Sequence, residues 1–138
     1  MADEIDMLGG AIVNVSNQKK ALEFYSGKLG FDIKENQDEG EGGWIEVCPK
    51  IFRLPISLVN PEKTSWSPEK KEREKKKIGT DTGIWFYAKD INSVYLTLKS
   101  RGVRITKPEK QPWGVLLSKF YDQDKNEFSL LENPELIY

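Results

Sequence analysis

The chain has 138 residues, 38 % apolar and 31 % charged, with a formal net charge of −1. That balance suits a soluble chain of one domain, or of two small halves sharing a core, and gives no overall attraction to nucleic acid or an anionic membrane. With no histidine and one cysteine, Cys48, the chain has no Ser-His-Asp or Cys-His pair, no His-ligated metal, no CxxC motif and no internal disulfide. No apolar run approaches the ~20 residues needed to cross a bilayer. The acidic opening Met1-Ala2-Asp3-Glu4 lacks the basic-then-apolar order of a secretion signal, so a cytoplasmic location is expected.

Residues 10–15 read as a strand, with Ala11, Val13 and Val15 on one face and Gly10, Ile12 and Asn14 on the other. Ser16 and Asn17 offer an N-cap to a helix whose apolar face carries Leu22, Tyr25 and Leu29, and Gly30 is suited to a left-handed C′ position. Phe31 and Ile33 open a second strand. The glycines from Gly40 to Gly43 mark a turn, and Trp44 to Val47 and Phe52 to Val59 read as two further strands. Pro61 and Pro68 then frame a charged stretch. Glu69 to Lys77 holds six Lys/Arg and three Glu without a break, which reads as a solvated linker or short surface helix. The three glutamates, and the lack of an aromatic within the run, argue against a nucleic-acid patch.

Beyond it the first pattern returns. Gly83 to Ala88 is a strand with Gly83, Trp85 and Tyr87 on one face and Ile84, Phe86 and Ala88 on the other. Asp90 caps a helix carrying Ile91, Val94, Tyr95 and Leu98, and Gly102 ends it. Val103 and Ile105, Leu116 to Tyr121, and Phe128 to Leu131 are strands, with a turn at 122–126. Val15 and Ala88, Asn17 and Asp90, and Gly30 and Gly102 correspond at near-constant offset. The chain is therefore expected to be α+β: two βαβββ modules joined into one cup-shaped mixed sheet with the helices outside. The first module covers about 9–60, the linker 61–81, the second about 82–132 and a tail 133–138.

The segments Val15-Ser16-Asn17, Ala21-Leu22-Glu23-Phe24-Tyr25 and Leu29-Gly30-Phe31 resemble the opening of vicinal-oxygen-chelate proteins, the glyoxalase, bleomycin-resistance and dioxygenase superfamily. Asp90-Ile91 with Leu98 to Val103, Gln111-Pro112-Trp113-Gly114, and Phe120 to Asn126 resemble the later segments. Gln123 and Lys125 replace the usual proline and glycine of the closing turn. In metal-dependent members one ligand comes from each of four strands. The resemblance carries those positions onto Gly10, Ser57, Gly83 and Ser129, none of which is a carboxylate or imidazole. It therefore implies the fold while withdrawing the metal, and no cofactor is expected. It also implies a homodimer, since members often complete their pockets between subunits.

The bare face of the cup is expected to carry Trp44, Trp85, Tyr87 and Trp113 as stacking rings, with Trp113 at a strand start, and Asn14, Glu46, Arg53, Ser57 and Ser129 as polar contacts. The leading reading is metal-independent binding of a small aromatic or cationic organic ligand. The alternatives are a lyase, isomerase or dioxygenase acting on a small substrate through oxygen-held metal or Glu46 and a tyrosine, and a structural module whose cup has collapsed. Cys48, with no histidine to activate it, reads as an inert thiol. The Asp122-x-Asp124-x-Asn126 spacing fails as a calcium loop, because Glu127 stands where that loop needs glycine.

Overall fold

The computed structural model describes residues 3–37, 42–51 and 54–136. Strand β1 (Ala11–Asn14) leads to helix α1 (Gln18–Glu23), which widens into a π-helical turn over Phe24–Lys28. The Asn17 side chain caps α1 by accepting from the Lys20 N–H. Gly30 follows at φ 75°, the left-handed conformation that glycine adopts without strain. Strands β2 (Asp32–Asn36), β3 (Ile45–Cys48) and β4 (Ile56–Val59) complete the first unit.

The charged segment forms helix α2 (Pro68–Lys75), with Pro68 in its first turn and Ser67 capping Lys70. Its charges pair along the helix: Lys75 with Glu72 at 3.0 Å, and Lys77 with Glu74 at 2.6 Å.

The second unit repeats the order with β5 (Asp81–Ala88), α3 (Ile91–Ser100), β6 (Arg104–Ile105), a short β7 (Glu109–Lys110), β8 (Leu116–Tyr121) and β9 (Glu127–Glu132). Asp90 caps α3 through the Ser93 N–H and hydroxyl, and these bonds hold its carboxyl below the usual range.

The sheets have matching topologies, β1-β4-β3-β2 and β5-β9-β8-β6, with β7 also on β8. In each, the first strand runs parallel to the last and the other pairings are antiparallel. The expected single sheet is thus two hydrogen-bonded sheets. Strands β1 and β5 face each other across two cavities and run in opposite senses: Asn14 and Asp81 border one cavity, Ala11 and Ala88 the other.

The helix-facing sides of both sheets share one core. Val13, Val15, Ala21, Tyr25, Val47 and Leu58 from the first unit join Ile91, Leu98, Phe120, Phe128 and Leu130 from the second. Tyr25 meets Phe128 edge-on at 6.2 Å, and Phe31 meets Phe86 at 5.5 Å. Burying one such ring contributes about 4–6 kcal/mol as an upper bound, so these cross-unit contacts couple the halves strongly. The wider turn after α1 aims both Phe24 and Tyr25 inward, whereas the helical spacing read from the sequence singled out Tyr25 alone. Ala11, expected on the core face, is exposed, because β1 only begins there and the core lies further along the strand.

Candidate functional site

Each sheet turns one face away from the shared core, and the expected site residues other than Trp113 and Arg53 lie on those faces. On the first sheet Ser57 of β4 is paired with Ile12 on one side and Glu46 on the other. The Trp44 indole N–H donates to Glu46 Oε2 at 2.9 Å. Asn14, two residues along from Ile12, is 8 % exposed. The Oδ1 of Asn14 and the Oγ of Ser57 are both buried without a hydrogen-bond partner. Buried polar atoms nearly always find a partner, so these two acceptors stand out, as does Ser118 Oγ in the second sheet.

On the second sheet Trp85 and Ser129 are direct neighbours across β5 and β9, and Tyr87 stands two residues beyond Trp85 on the same face. Burial alternates strictly along β5 from Asp81 to Tyr87: Thr82, Ile84 and Phe86 turn inward, while Gly83, Trp85 and Tyr87 face out. Trp85 and Tyr87 are 59 % and 53 % exposed, and Trp44 is 44 % exposed. Trp113 sits in the turn closed by the Gly114 N–H donating to the Gln111 carbonyl, not at a strand start. Its neighbours Pro112 and Gly114 favour that turn over extension. Arg53 and Phe52 lie outside the described residues. The structure therefore gathers Asn14, Ser57, Glu46 and Trp44 on one sheet and Trp85, Tyr87 and Ser129 on the other, with Trp113 apart.

The four positions that would carry metal ligands do not fit a metal. Gly83 adopts φ 70° with open space around it, while a Cβ on Gly10 would stand 2.6 Å from the Pro55 carbonyl oxygen. Ser57 and Ser129 offer neutral hydroxyls, and Glu46, beside Ser57, is bonded to Trp44. Two hydroxyls and two glycines do not replace the anionic or imidazole donors a divalent ion needs. Cys48 is buried with a free thiol.

Two groups of residues escaped sequence reasoning. One is a buried polar tie between the units. The Tyr25 hydroxyl donates to Asp122 Oδ2 at 2.7 Å, and the Asn126 amide donates to Asp122 at 2.8 Å and to the Asn14 carbonyl at 3.0 Å. Asp122 Oδ1 also accepts the Asp124 and Asn126 N–H groups, and Ser16 bonds to Asp124 through its N–H and hydroxyl. Burial raises the Asp122 carboxyl above its ordinary value and, with the nearby Asp122 charge, pushes the Tyr25 phenol well up. The Asp122-x-Asp124-x-Asn126 segment is thus a turn that anchors α1. Lys125, where the family places glycine, has φ 66° and is the one non-glycine residue with positive φ among the described residues.

The other group, alongside the expected residues Asn14, Trp85 and Tyr87, lines two cavities between β1 and β5. One, about 300 Å³, lies between α2 and the end of β1 and is lined by Ile12, Asn14, Trp66, Lys70, Glu74 and Asp81, among others. The second, about 550 Å³, lies at the opposite end and is walled by apolar side chains including Phe31, Ile56, Phe86 and Leu98. Neither was readable from strand parity, which says which way a side chain points but not what stands opposite.

The profile of the Glyoxalase/Bleomycin resistance protein/Dioxygenase superfamily matches residues 5–130. The chain is 31 % identical to the YetH protein of Bacillus subtilis (strain 168), over 93 % of this chain and 99 % of that one. Among solved structures, a member of the same superfamily from Sphaerobacter thermophilus DSM 20745 superposes with a TM-score of 0.79 at 34 % identity, covering 94 % of this chain and 98 % of that one. TnmS3, an antibiotic binding protein from Streptomyces sp. CB03234, superposes with a TM-score of 0.73 at 28 % identity, covering 93 % and 96 %. With the repeated βαβββ order, the paired sheet topologies and a profile match over nearly the whole length, the chain belongs to the Glyoxalase/Bleomycin resistance protein/Dioxygenase superfamily.

Proposed function

We propose that the protein binds a small aromatic or cationic organic molecule without a metal, and that two copies associate to enclose it. The observation that carries this reading is the exposure of large rings on the core-averted sheet faces: Trp85 at 59 %, Tyr87 at 53 % and Trp44 at 44 %. A ring left in water forgoes several kcal/mol of burial, on the order of 25 cal/mol per Å². A planar ligand sandwiched against them, or a second copy, recovers that energy. The four positions carry no carboxylate or imidazole to hold a metal. The likeness to TnmS3, an antibiotic binding protein, supports a binding role over a catalytic one.

In this reading Trp85, Tyr87 and Trp44 supply stacking surface, and Asn14, Glu46, Arg53, Ser57 and Ser129 supply polar contacts. The test is a tryptophan-fluorescence titration with a library of planar aromatic and cationic ligands, alongside metal analysis of the untagged protein and sedimentation to weigh the species in solution. Saturable quenching that Trp85→Ala abolishes supports the reading. No quenching by any ligand, or a stoichiometric transition metal in the purified protein, overturns it and favours a lyase, isomerase or dioxygenase.

A further inference from the structure

We propose that the cavity between α2 and the end of β1 binds a small organic cation, an ammonium or guanidinium group on a short aliphatic chain. This deepens the reading above, since Asn14 belongs to both, and it identifies which part of the molecule would take the charged end of a ligand.

The cavity is about 300 Å³, at the lower end of the range for small-molecule sites. Asn14 lines it, is 8 % exposed, and has an Oδ1 that is buried with no donor. A buried acceptor left unmade costs on the order of 1–3 kcal/mol, which an incoming N–H donor removes. The other charges on the wall are partly engaged. Glu74 and Lys77 pair with each other at 2.6 Å, and Lys70 lies over the Trp66 ring at 4.3 Å. Asp81 accepts one bond, from the Gly83 N–H to Oδ1. The acceptors with capacity to spare are Asn14 Oδ1, the Asp81 carboxylate and Glu74 Oε2, which faces Lys77 but is buried with no hydrogen-bond partner. The formal charges of the wall balance, Lys70 and Lys77 against Glu74 and Asp81, so it is the unmatched acceptors and not net charge that favour an N–H-bearing cation over an anion. Ile12 and Trp66 provide apolar wall for a short methylene chain. The Lys70 contact shows that the Trp66 ring already accepts a cation on its face.

The test is a two-dimensional ¹H–¹⁵N NMR titration of the intact protein with agmatine, using pentanoate as an anionic control of similar length. The expected result is saturable shifts of the Asn14 side-chain amide and the Trp66 indole N–H with agmatine and none with pentanoate. Asn14→Leu and Trp66→Ala weaken agmatine binding by about tenfold or more, and Asn14→Asp tightens it. Equal shifts with pentanoate, or agmatine binding indifferent to both Asn14→Leu and Trp66→Ala, overturn the proposal. Should Asn14→Leu fail to fold, Trp66→Ala, on the linker beside the cavity, decides alone. If aromatic ligands quench fluorescence while agmatine causes no shift, the cavity proposal fails and the sheet-face reading stands. If agmatine binds as described and no aromatic ligand quenches, the cavity stands and the aromatic reading fails.

Discussion

The two sheets share a strand order yet treat their core-averted faces differently. On the first, Asn14 and Ser57 are buried and α2 stands across a cavity from Ile12 and Asn14. On the second, Trp85 and Tyr87 lie open and Ser129 is half-buried. The units are alike where they must pack on each other and unlike where they do not. One segment outside the repeat, the charged helix α2, walls a cavity beside Ile12 and Asn14 of the first unit and has no counterpart in the second. A repeat can thus supply a symmetrical scaffold while an insertion sets one half apart from the other.

The comparison breaks most decisively at the tie between the units. Asp122→Ala removes the acceptor for the Tyr25 hydroxyl, the Asn126 amide and two main-chain N–H groups, and is expected to lower stability by about 3–5 kcal/mol in urea unfolding. A loss below about 1 kcal/mol would show that the shared aromatic core alone holds the halves. The same carboxyl gives a pH signature. Burial raises its folded value above that of the unfolded chain, so the folded state binds the proton more tightly. Its contribution is full below the ordinary carboxylate range and is lost as pH rises through the folded value. The wild type should therefore lose stability relative to Asp122→Asn as pH is raised from about 3.5 to 7, read from urea midpoints.

The repeat-related glycines sharpen the contrast for different reasons. Gly10→Ala drives a Cβ into the Pro55 carbonyl oxygen and is expected to cost about 1–3 kcal/mol. Gly83→Ala meets open space but must hold φ 70°, at about 1–2 kcal/mol. Thermal unfolding of both, with the Gly10 variant the less stable, checks the distinction. Lys125→Gly relieves a left-handed lysine in the anchoring turn and should raise stability by about 0.5–1 kcal/mol, seen as a higher melting temperature. Smallest of all, Trp85→Ala should change stability by no more than about 0.5 kcal/mol because the ring is exposed, while still removing ligand quenching. A large loss of stability there would mean that the open face is structural.

Much of the architecture was legible because it is written in local chemistry. Asn17 and Asp90 cap helices as their side chains dictate, Gly30 and Gly102 take left-handed backbone, and the alternation through Trp85, Phe86 and Tyr87 sets two faces. The site was legible only as far as direction. Parity placed Asn14 and Ser57 on the outward face but did not show that they would be buried there, because burial depends on what packs above. Gln18, between Gly43 and Leu58 through its side-chain amide, and Tyr25, bonded across 97 residues to Asp122, depend on contacts that no periodicity encodes. Trp113 was misplaced because the turn chemistry of Pro112 and Gly114 outweighs a nearby strand.

The lone sulfhydryl of Cys48, sealed inside the first sheet, gives the molecule its own opening gauge. An alkylating reagent can reach it only in molecules whose β3 has come away, so labelling speed under native conditions reports how often that half breathes. Because no other thiol competes, mass spectrometry would read this in a single peak, with and without ligand.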